Sequence, residues 1–129
     1  MPNHQIAAGL SKNQAFLVEE QHSAAHIGSG RVSVLSTPSM IAFMEITARG
    51  LLDDYLPDTH TTVGVHVDVH HLAACPVGVE VMARVAVLSV EDRRVTLSLE
   101  VWQGEKQLGH GLHERVIVDN ARFLERSLS

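Results

Sequence analysis

Residues 37–52 read Thr37-Pro-Ser-Met-Ile-Ala-Phe-Met-Glu-Ile-Thr-Ala-Arg-Gly-Leu-Leu52, a stretch that is apolar almost all round when it is wound as a helix. Helices of this kind are buried. In the segment Ser36-Thr37-Pro38 a hydroxyl can cap the first turn and proline suits the first helical position, so the helix is predicted to begin there. The acidic pair Asp53-Asp54 marks its end.

Glu45 is the only acidic residue of this stretch. At helical spacing it falls with Ile41, Ala48 and Leu52 on the predicted inner stripe, where an ionised carboxylate costs free energy unless donors meet it or its pKa shifts. Acids in such places are often functional. The alternative is a surface position paired with Arg49 at i,i+4.

The composition predicts one domain over residues 1–129, because this length is common for a single domain and 45% hydrophobic residues can form a core. The net charge of -5 disfavours nucleic-acid binding, although a few well-placed arginines could still bind an anionic ligand. No apolar run is long enough to span a membrane, and the N-terminus lacks the pattern of a signal peptide. A single cysteine, Cys75, excludes an internal disulfide and fits a reducing compartment, so a cytoplasmic location is predicted.

Beyond Thr61 the hydrophobic period changes to two, which predicts strands. An earlier strand is predicted at residues 14–20, followed by a mobile connection at residues 21–31 that is a candidate lid. One long helix before a run of antiparallel strands predicts an α+β fold in which a curved sheet wraps the helix. The alternating apolar residues are Val63, Val65, Val67 and Val69; Val79, Val81, Ala83, Val85 and Val87; and Val95, Leu97, Leu99 and Val101. The last predicted strand, residues 106–118, puts on one face Leu108, His110, Leu112, Val116 and Val118.

Counting by twos from Val63 places His71, and not His70, on the apolar face that packs on the helix, provided that no bulge interrupts the strand. An imidazole and the carboxylate of Glu45 that face one cleft could position a water and move its protons, which is the chemistry of acyl transfer to water. Thr37 adds a hydroxyl at the helix start, where backbone N–H groups can stabilise an oxyanion. Taken singly, His71 is more often a core histidine and Thr37 a simple N-cap.

Two other sequence patterns indicate a metal site and a cysteine nucleophile, but less strongly. Ligands on the alternate positions of His66-x-Asp68-x-His70 splay apart, so a metal site there needs help from elsewhere and no metal is predicted. Cys75 could be a nucleophile with His71 as its base, but a lone cysteine is more often a small buried hydrophobe.

The chain resembles the fluoroacetyl-CoA thioesterase-like family of hotdog-fold proteins over roughly residues 14–119. The residues that carry the resemblance are Leu35-Ser36-Thr37-Pro38, Glu45, Thr62-Val63-Gly64, Val67-Asp68-Val69, His71-Leu72-Ala73-Ala74 and His113-Glu114-Arg115.

The resemblance implies a hotdog fold, a homodimer that could pair into a tetramer, and hydrolysis of a small or medium acyl-CoA substrate without a cofactor. It implies a catalytic set of Thr37, Glu45 and His71, in which Glu45 is a general base or a nucleophile. It also implies substrate-binding roles for Gly64, near the thioester carbonyl, and for Arg115. The family's fluoroacetate-resistance member has a phenylalanine-lined lid, whereas residues 26–31 here contain no aromatic residue, so the acyl group stays open. The alternative is a non-catalytic module that binds acyl-CoA or another small ligand.

Overall fold

The computed structural model describes residues 3–129. Five strands and three α-helices follow one another in the order β1 (Ser11–Leu17), α1 (Ala24–Ile27), α2 (Thr37–Asp53), β2 (His60–His71), β3 (Glu80–Glu91), β4 (Arg94–Gln103), β5 (Lys106–Asp119) and α3 (Asn120–Ser127), with a 3-10 turn (Glu20–His22) before α1.

The strands form one antiparallel sheet in the order β1-β3-β4-β5-β2, so β1 and β2 are its edges. Helix α2 packs across the sheet and contacts β1, β2, β3 and β4. This arrangement confirms the predicted α+β fold with a sheet around one long helix.

The helix begins where the sequence predicts, because Ser36 is its N-cap and accepts a hydrogen bond from the backbone N–H of Ser39 at 3.1 Å. Pro38 follows in the first turn, where a missing N–H costs nothing. Thr37 is the first helical residue rather than the cap, so its hydroxyl is free for another partner. The buried side of α2 packs on the sheet and consists of Ser39, Met40, Phe43, Met44, Thr47, Ala48, Leu51 and Leu52.

A bulge between Gly64 and His66 changes which residues of β2 face α2. Before the bulge Thr62 is the inward residue, buried to 2% exposure; after it His71 lies opposite Gly109 on the inward side. A bulge inserts one residue and resets the alternation. The prediction that Val63 shares a face with His71 is therefore wrong. His71 faces inward because the bulge shifts the alternation of the later residues by one position.

The alternation predicted for β5 is also wrong. Leu112 was predicted to share a face with Leu108 and Val118, which are buried, but it is 48% exposed, whereas the side chains of His113 and Arg115 are almost completely buried. The residue pairs that face α2 across β4 and β5 are Val101–Gly109, Leu99–Gly111, Leu97–His113 and Val95–Arg115. Between Gly109 and Arg115 the inward positions of β5 are polar or glycine, so in this part of the strand hydrophobicity alone indicates the opposite face.

Three further segments depart from the predictions. Strand β1 starts at Ser11 and not at residue 14. The 3-10 turn and α1 occupy most of residues 21–31, where a mobile connection was predicted. Helix α3 adds an element beyond residue 119, the predicted end of the core, and none of its residues is buried.

Candidate active site

Glu45 lies at the edge of the buried stripe of α2, and its side chain keeps 41% of its exposure. The sequence predicts Glu45 on the inner stripe with Ile41, Ala48 and Leu52, but Ala48 and Leu52 are completely buried, whereas Glu45 is only partly buried. The alternative pairing with Arg49 does not occur, because Arg49 binds Asp53 at 2.8 Å. Glu45 instead extends toward β2 and β5, where a buried cation meets it.

That cation is Arg115, which is 5% exposed and makes four hydrogen bonds. Its Nε donates to Oγ1 of Thr62 at 2.7 Å and its Nη2 to the carbonyl oxygen of Thr62 at 2.8 Å. Its Nη1 donates to Oε2 of Glu45 at 3.3 Å. Four of the five N–H groups of a guanidinium are thus occupied within the protein. This geometry makes Arg115 a support for Glu45, and it leaves little capacity for the substrate contact that the family resemblance implies.

His113 completes the buried network, and its hydrogen bonds define its protonation. A carbonyl oxygen can only accept, so Nδ1 of His113 carries a hydrogen and donates it to the carbonyl of His66 at 2.7 Å. A guanidinium can only donate, so Nε2 of His113 accepts from Nη1 of Arg115 at 3.0 Å. Burial lowers the pKa of His113, with the His66 carbonyl acting in the opposite direction. His113 is therefore a neutral group that fixes the position of Arg115.

Gly64 lies directly beside the carboxylate. A Cβ at this position would stand 2.5 Å from Oε2 of Glu45, closer than real Cβ atoms approach another atom, and 3.1 Å from Cε1 of His113, a tight contact. The absence of a side chain therefore lets the strand and the carboxylate meet. It also exposes the backbone of the strand next to the acid, which fits the proximity to the reacting group that the family resemblance implies for Gly64.

Thr37 and His71 form a second cluster at the start of α2. Oγ1 of Thr37 is 2.8 Å from Nδ1 of His71. Burial lowers the pKa of His71, and the backbone of Ala73 opposes that shift. Within residues 3–129, Nε2 of His71 is buried and has no hydrogen-bond partner of good geometry. A shallow cavity of about 290 Å³ adjoins this pair and is lined by Val34, Leu35, Thr37, His71, Leu72, Ala73 and Ala74.

The two clusters do not meet in one chain. Glu45 follows Thr37 by eight helical residues, a separation of ~12 Å along the axis. Gly64 and His71 are seven residues apart on β2, or ~23 Å. The structure therefore brings Thr37 to His71 and brings Glu45 to Gly64 and Arg115, but it keeps these two groups apart within a protomer.

Sequence reasoning assigned no role to Thr62 or His113. Thr62 is two positions from Gly64, and His113 is two positions from Arg115, and both Gly64 and Arg115 were selected. The pattern His113-x-Arg115 could have indicated the network, because two buried polar side chains on one strand face must hydrogen-bond to each other or to a neighbour.

The side chains of the other candidate patterns make no hydrogen bond to the groups of this site within the described residues. His66, Asp68 and His70 are exposed on the outward side of β2, and nowhere in residues 3–129 do three or more His, Cys, Asp or Glu side chains gather in a way that could hold a metal ion. Cys75 is buried, and burial raises the pKa of its thiol, which makes it a poor nucleophile. No helix in the described part of the chain is long and apolar enough to cross a membrane.

Solved structures with this architecture define the class of protein. The structure of the fluoroacetyl-CoA thioesterase FlK superimposes with a TM-score of 0.89 at 24% identity, over 95% of this chain and 96% of that one. A hot-dog-like protein from Thermanaerovibrio acidaminovorans superimposes with a TM-score of 0.85 at 28% identity, over 94% of this chain and 90% of that one. The fold is the hotdog fold.

Sequence comparison then gives the family. Residues 18–121 match the model of the fluoroacetyl-CoA-specific thioesterase family, and the chain belongs to that family. It is also 30% identical, over 90 residues, to the fluoroacetyl-CoA thioesterase of Streptantibioticus cattleyicolor. That match covers 70% of this chain and 65% of the relative, so the chain spans about two thirds of the relative's length.

Proposed function

We propose that this protein is an acyl-CoA thioesterase, which hydrolyses a small or medium acyl-CoA to the free acid and CoA. The observation that carries the proposal is the carboxylate of Glu45, held by buried Arg115 and lying against the bare backbone at Gly64. Membership of the fluoroacetyl-CoA-specific thioesterase family supports it.

We infer that Glu45 activates water and does not only support the structure. Arg115 orients one oxygen of the carboxylate, and the 41% exposure of the side chain leaves it open to water and substrate. As a general base, Glu45 takes a proton from water while the water oxygen attacks the thioester carbonyl carbon; collapse of the intermediate breaks the C–S bond and releases the CoA thiolate, which then takes up a proton. As a nucleophile, Glu45 would attack that carbon itself and expel the CoA thiolate, which takes up a proton; water would then cleave the resulting anhydride to the free acid and the carboxylate of Glu45. We favour the base role.

Thr37 and His71 form the second half of the proposed site. With its pKa lowered, His71 is neutral near pH 7 and can accept or relay a proton at Nε2, the atom that has no partner within the protomer. Thr37 fixes the ring through Nδ1. Because a thiolate leaves readily, we expect His71 to act more on water or on the carbonyl oxygen than on the leaving group.

A homodimer would bring the two halves together. Strand β2 is an edge of the sheet, with Val65 50% exposed and Val67 40% exposed, and Ile46 of α2 is 42% exposed on the adjoining side of the helix. Exposed apolar edge strands favour pairing with another chain. If two copies of β2 pair antiparallel about a two-fold axis near Val67 and Asp68, Gly64 lies opposite His71 of the partner subunit. Each site would then contain Glu45 from one chain and the Thr37–His71 pair from the other.

The test is the release of CoA thiol from short, branched, aromatic and fluorinated acyl-CoAs by the wild type and by Glu45→Gln. The matched control is Glu105→Gln, which removes the same charge from an exposed turn. Turnover that is lost only in Glu45→Gln supports the proposal and identifies the acyl group. Binding of acyl-CoA without any turnover by the wild type would replace it with the non-catalytic binding module.

A further inference from the structure

A second cavity lies away from Glu45, beneath α3 at the end of β5. It has a volume of about 410 Å³, which is within the range of small-molecule sites. The residues that line it are Pro57, Thr59, His60, Arg93, Ile117, Val118, Asp119, Arg122, Phe123 and Arg126.

The charge of this cavity is opposite to that of the chain. Arg93, Arg122 and Arg126 line it, and none of the three forms a salt bridge with a carboxylate in residues 3–129. The one lining carboxylate, Asp119, caps α3 by accepting from the backbone N–H of Arg122 at 3.1 Å, and its Oδ2 is 4.0 Å from Nε2 of His60. Three guanidinium groups around one cavity, in a chain of net charge -5, favour a ligand with several phosphate groups.

The cavity also has apolar surfaces that suit a planar ring. Ile117 and Val118 are buried beneath it, and the Phe123 side chain is 43% exposed beside Arg122 and Arg126. Pro57 adds a flat apolar surface on the neighbouring loop. Aromatic rings and guanidinium planes both stack on nucleobases. A simple inorganic anion would use the arginines but leave these surfaces and most of the volume unused.

We propose that this cavity binds the phosphorylated adenine nucleotide of the acyl-CoA substrate, with Arg93, Arg122 and Arg126 on its phosphates and Phe123 against its base. The identity of the ligand rests on the proposed thioesterase function. In the proposed thioesterase, the cavity would bind the nucleotide, which is the end of the substrate that does not react.

A neighbouring groove extends from the cavity along the end of α2 on which Arg49 lies. This groove, of about 330 Å³, shares Pro57 and His60 with the cavity and reaches Arg49, one helical turn beyond Glu45. Its lining is completed by Asp53, Leu56, Asp58, Thr61 and Asn120. His60 and Gly64 are four residues apart on β2, or ~13 Å. An extended pantetheine arm is longer than this, and the polar side chains of the groove can bind its amides.

The test uses Arg122→Ala/Arg126→Ala and, on a separate element, Arg93→Ala. The control is Arg84→Ala, an exposed arginine that lies over the Trp102 ring and does not line the cavity. Adenosine 3',5'-bisphosphate is titrated into each protein by calorimetry. Steady-state kinetics are then compared on one acyl group carried either by CoA or by N-acetylcysteamine, which has no nucleotide.

We expect the bisphosphate to bind the wild type and Arg84→Ala, and to bind the cavity variants roughly tenfold more weakly. The KM for acyl-CoA should rise by a similar factor, with kcat unchanged and with the N-acetylcysteamine thioester unaffected. Equal nucleotide binding by all the proteins, or equal loss on both thioesters, would overturn the assignment. If the wild type cleaves neither thioester, the proposed function fails, and the titration alone decides whether the cavity binds the nucleotide.

Discussion

Nη1 of Arg115 donates a hydrogen bond to Oε2 of Glu45 across 3.3 Å, although the two residues are 70 positions apart in the sequence. The remaining donors of Arg115 bind Thr62 and His113, so the guanidinium has little freedom to move. The direction in which Glu45 points is therefore determined by β2 and β5 as much as by its own helix.

Arg115→Lys should reduce both stability and turnover. A lysine keeps the charge but cannot donate to Thr62 and Glu45 in the fixed geometry of a guanidinium, so buried acceptors lose their partners. We expect a loss of about 1–3 kcal/mol in the free energy of unfolding, together with a lower kcat. Urea denaturation and CoA-release assays measure the two effects. Arg94→Lys is the control, because Arg94 is half exposed in its pair with Glu114; equal effects in both variants would contradict the special role of Arg115.

Gly64→Ala should abolish activity because the added Cβ would displace the carboxylate of Glu45. Gly50→Ala is the matched control, since a Cβ there meets nothing closer than Nζ of Lys12 at 3.6 Å. Because Gly50 lies within α2, alanine should stabilise the fold by about 0.5–1 kcal/mol and leave kcat unchanged. Full activity in Gly64→Ala would mean that the position of Glu45 is not critical.

Mixing two inactive variants tests whether each site draws on two chains. A heterodimer of Glu45→Gln and His71→Ala chains has one doubly altered site and one intact site if the sites are shared, but no intact site if each chain is self-sufficient. Random reassociation of equal amounts after joint refolding should therefore restore roughly a quarter of the wild-type activity. Mixed samples that remain as inactive as the separate variants would exclude shared sites, provided that light scattering shows dimers.

Stability should fall with decreasing pH below about 6.5, because burial lowers the pKa of both His113 and His71 in the folded state. The unfolded chain then binds protons that the folded chain does not. The stabilisation is complete above the unfolded pKa and is lost as the pH falls toward the lowered folded values. His113→Gln should show a shallower loss of unfolding free energy between about pH 7.5 and about pH 5, measured by urea denaturation, than the wild type. His110→Gln, an exposed replacement, should follow the wild type; the same slope in all three would contradict this.

Local sequence was sufficient for the long helix and for the strands β3 and β4. Helix α2 is specified by the cap at Ser36, the proline that follows and an apolar run that ends at an acidic pair. The alternation in β3 and β4 predicted their buried faces correctly, from Val81 to Val87 and from Val95 to Val101. These features depend on residues that are close together in the sequence, so they can be predicted from one sequence alone. The local pattern also selected Thr37, Glu45 and His71 as candidates, and the family resemblance implied that the three act as one catalytic set.

The tertiary structure alone decided which of these side chains meet. The bulges at Val65 in β2 and at Leu108 in β5 arise from pairing with other strands, and each resets the alternation that local counting assumes. Thr62, His113 and Arg115 consequently turn inward, where polar groups are stable only because they satisfy one another. The sequence by itself determined a helix inside a sheet and a carboxylate on that helix, while strand pairing over long separations decided what holds the carboxylate in place.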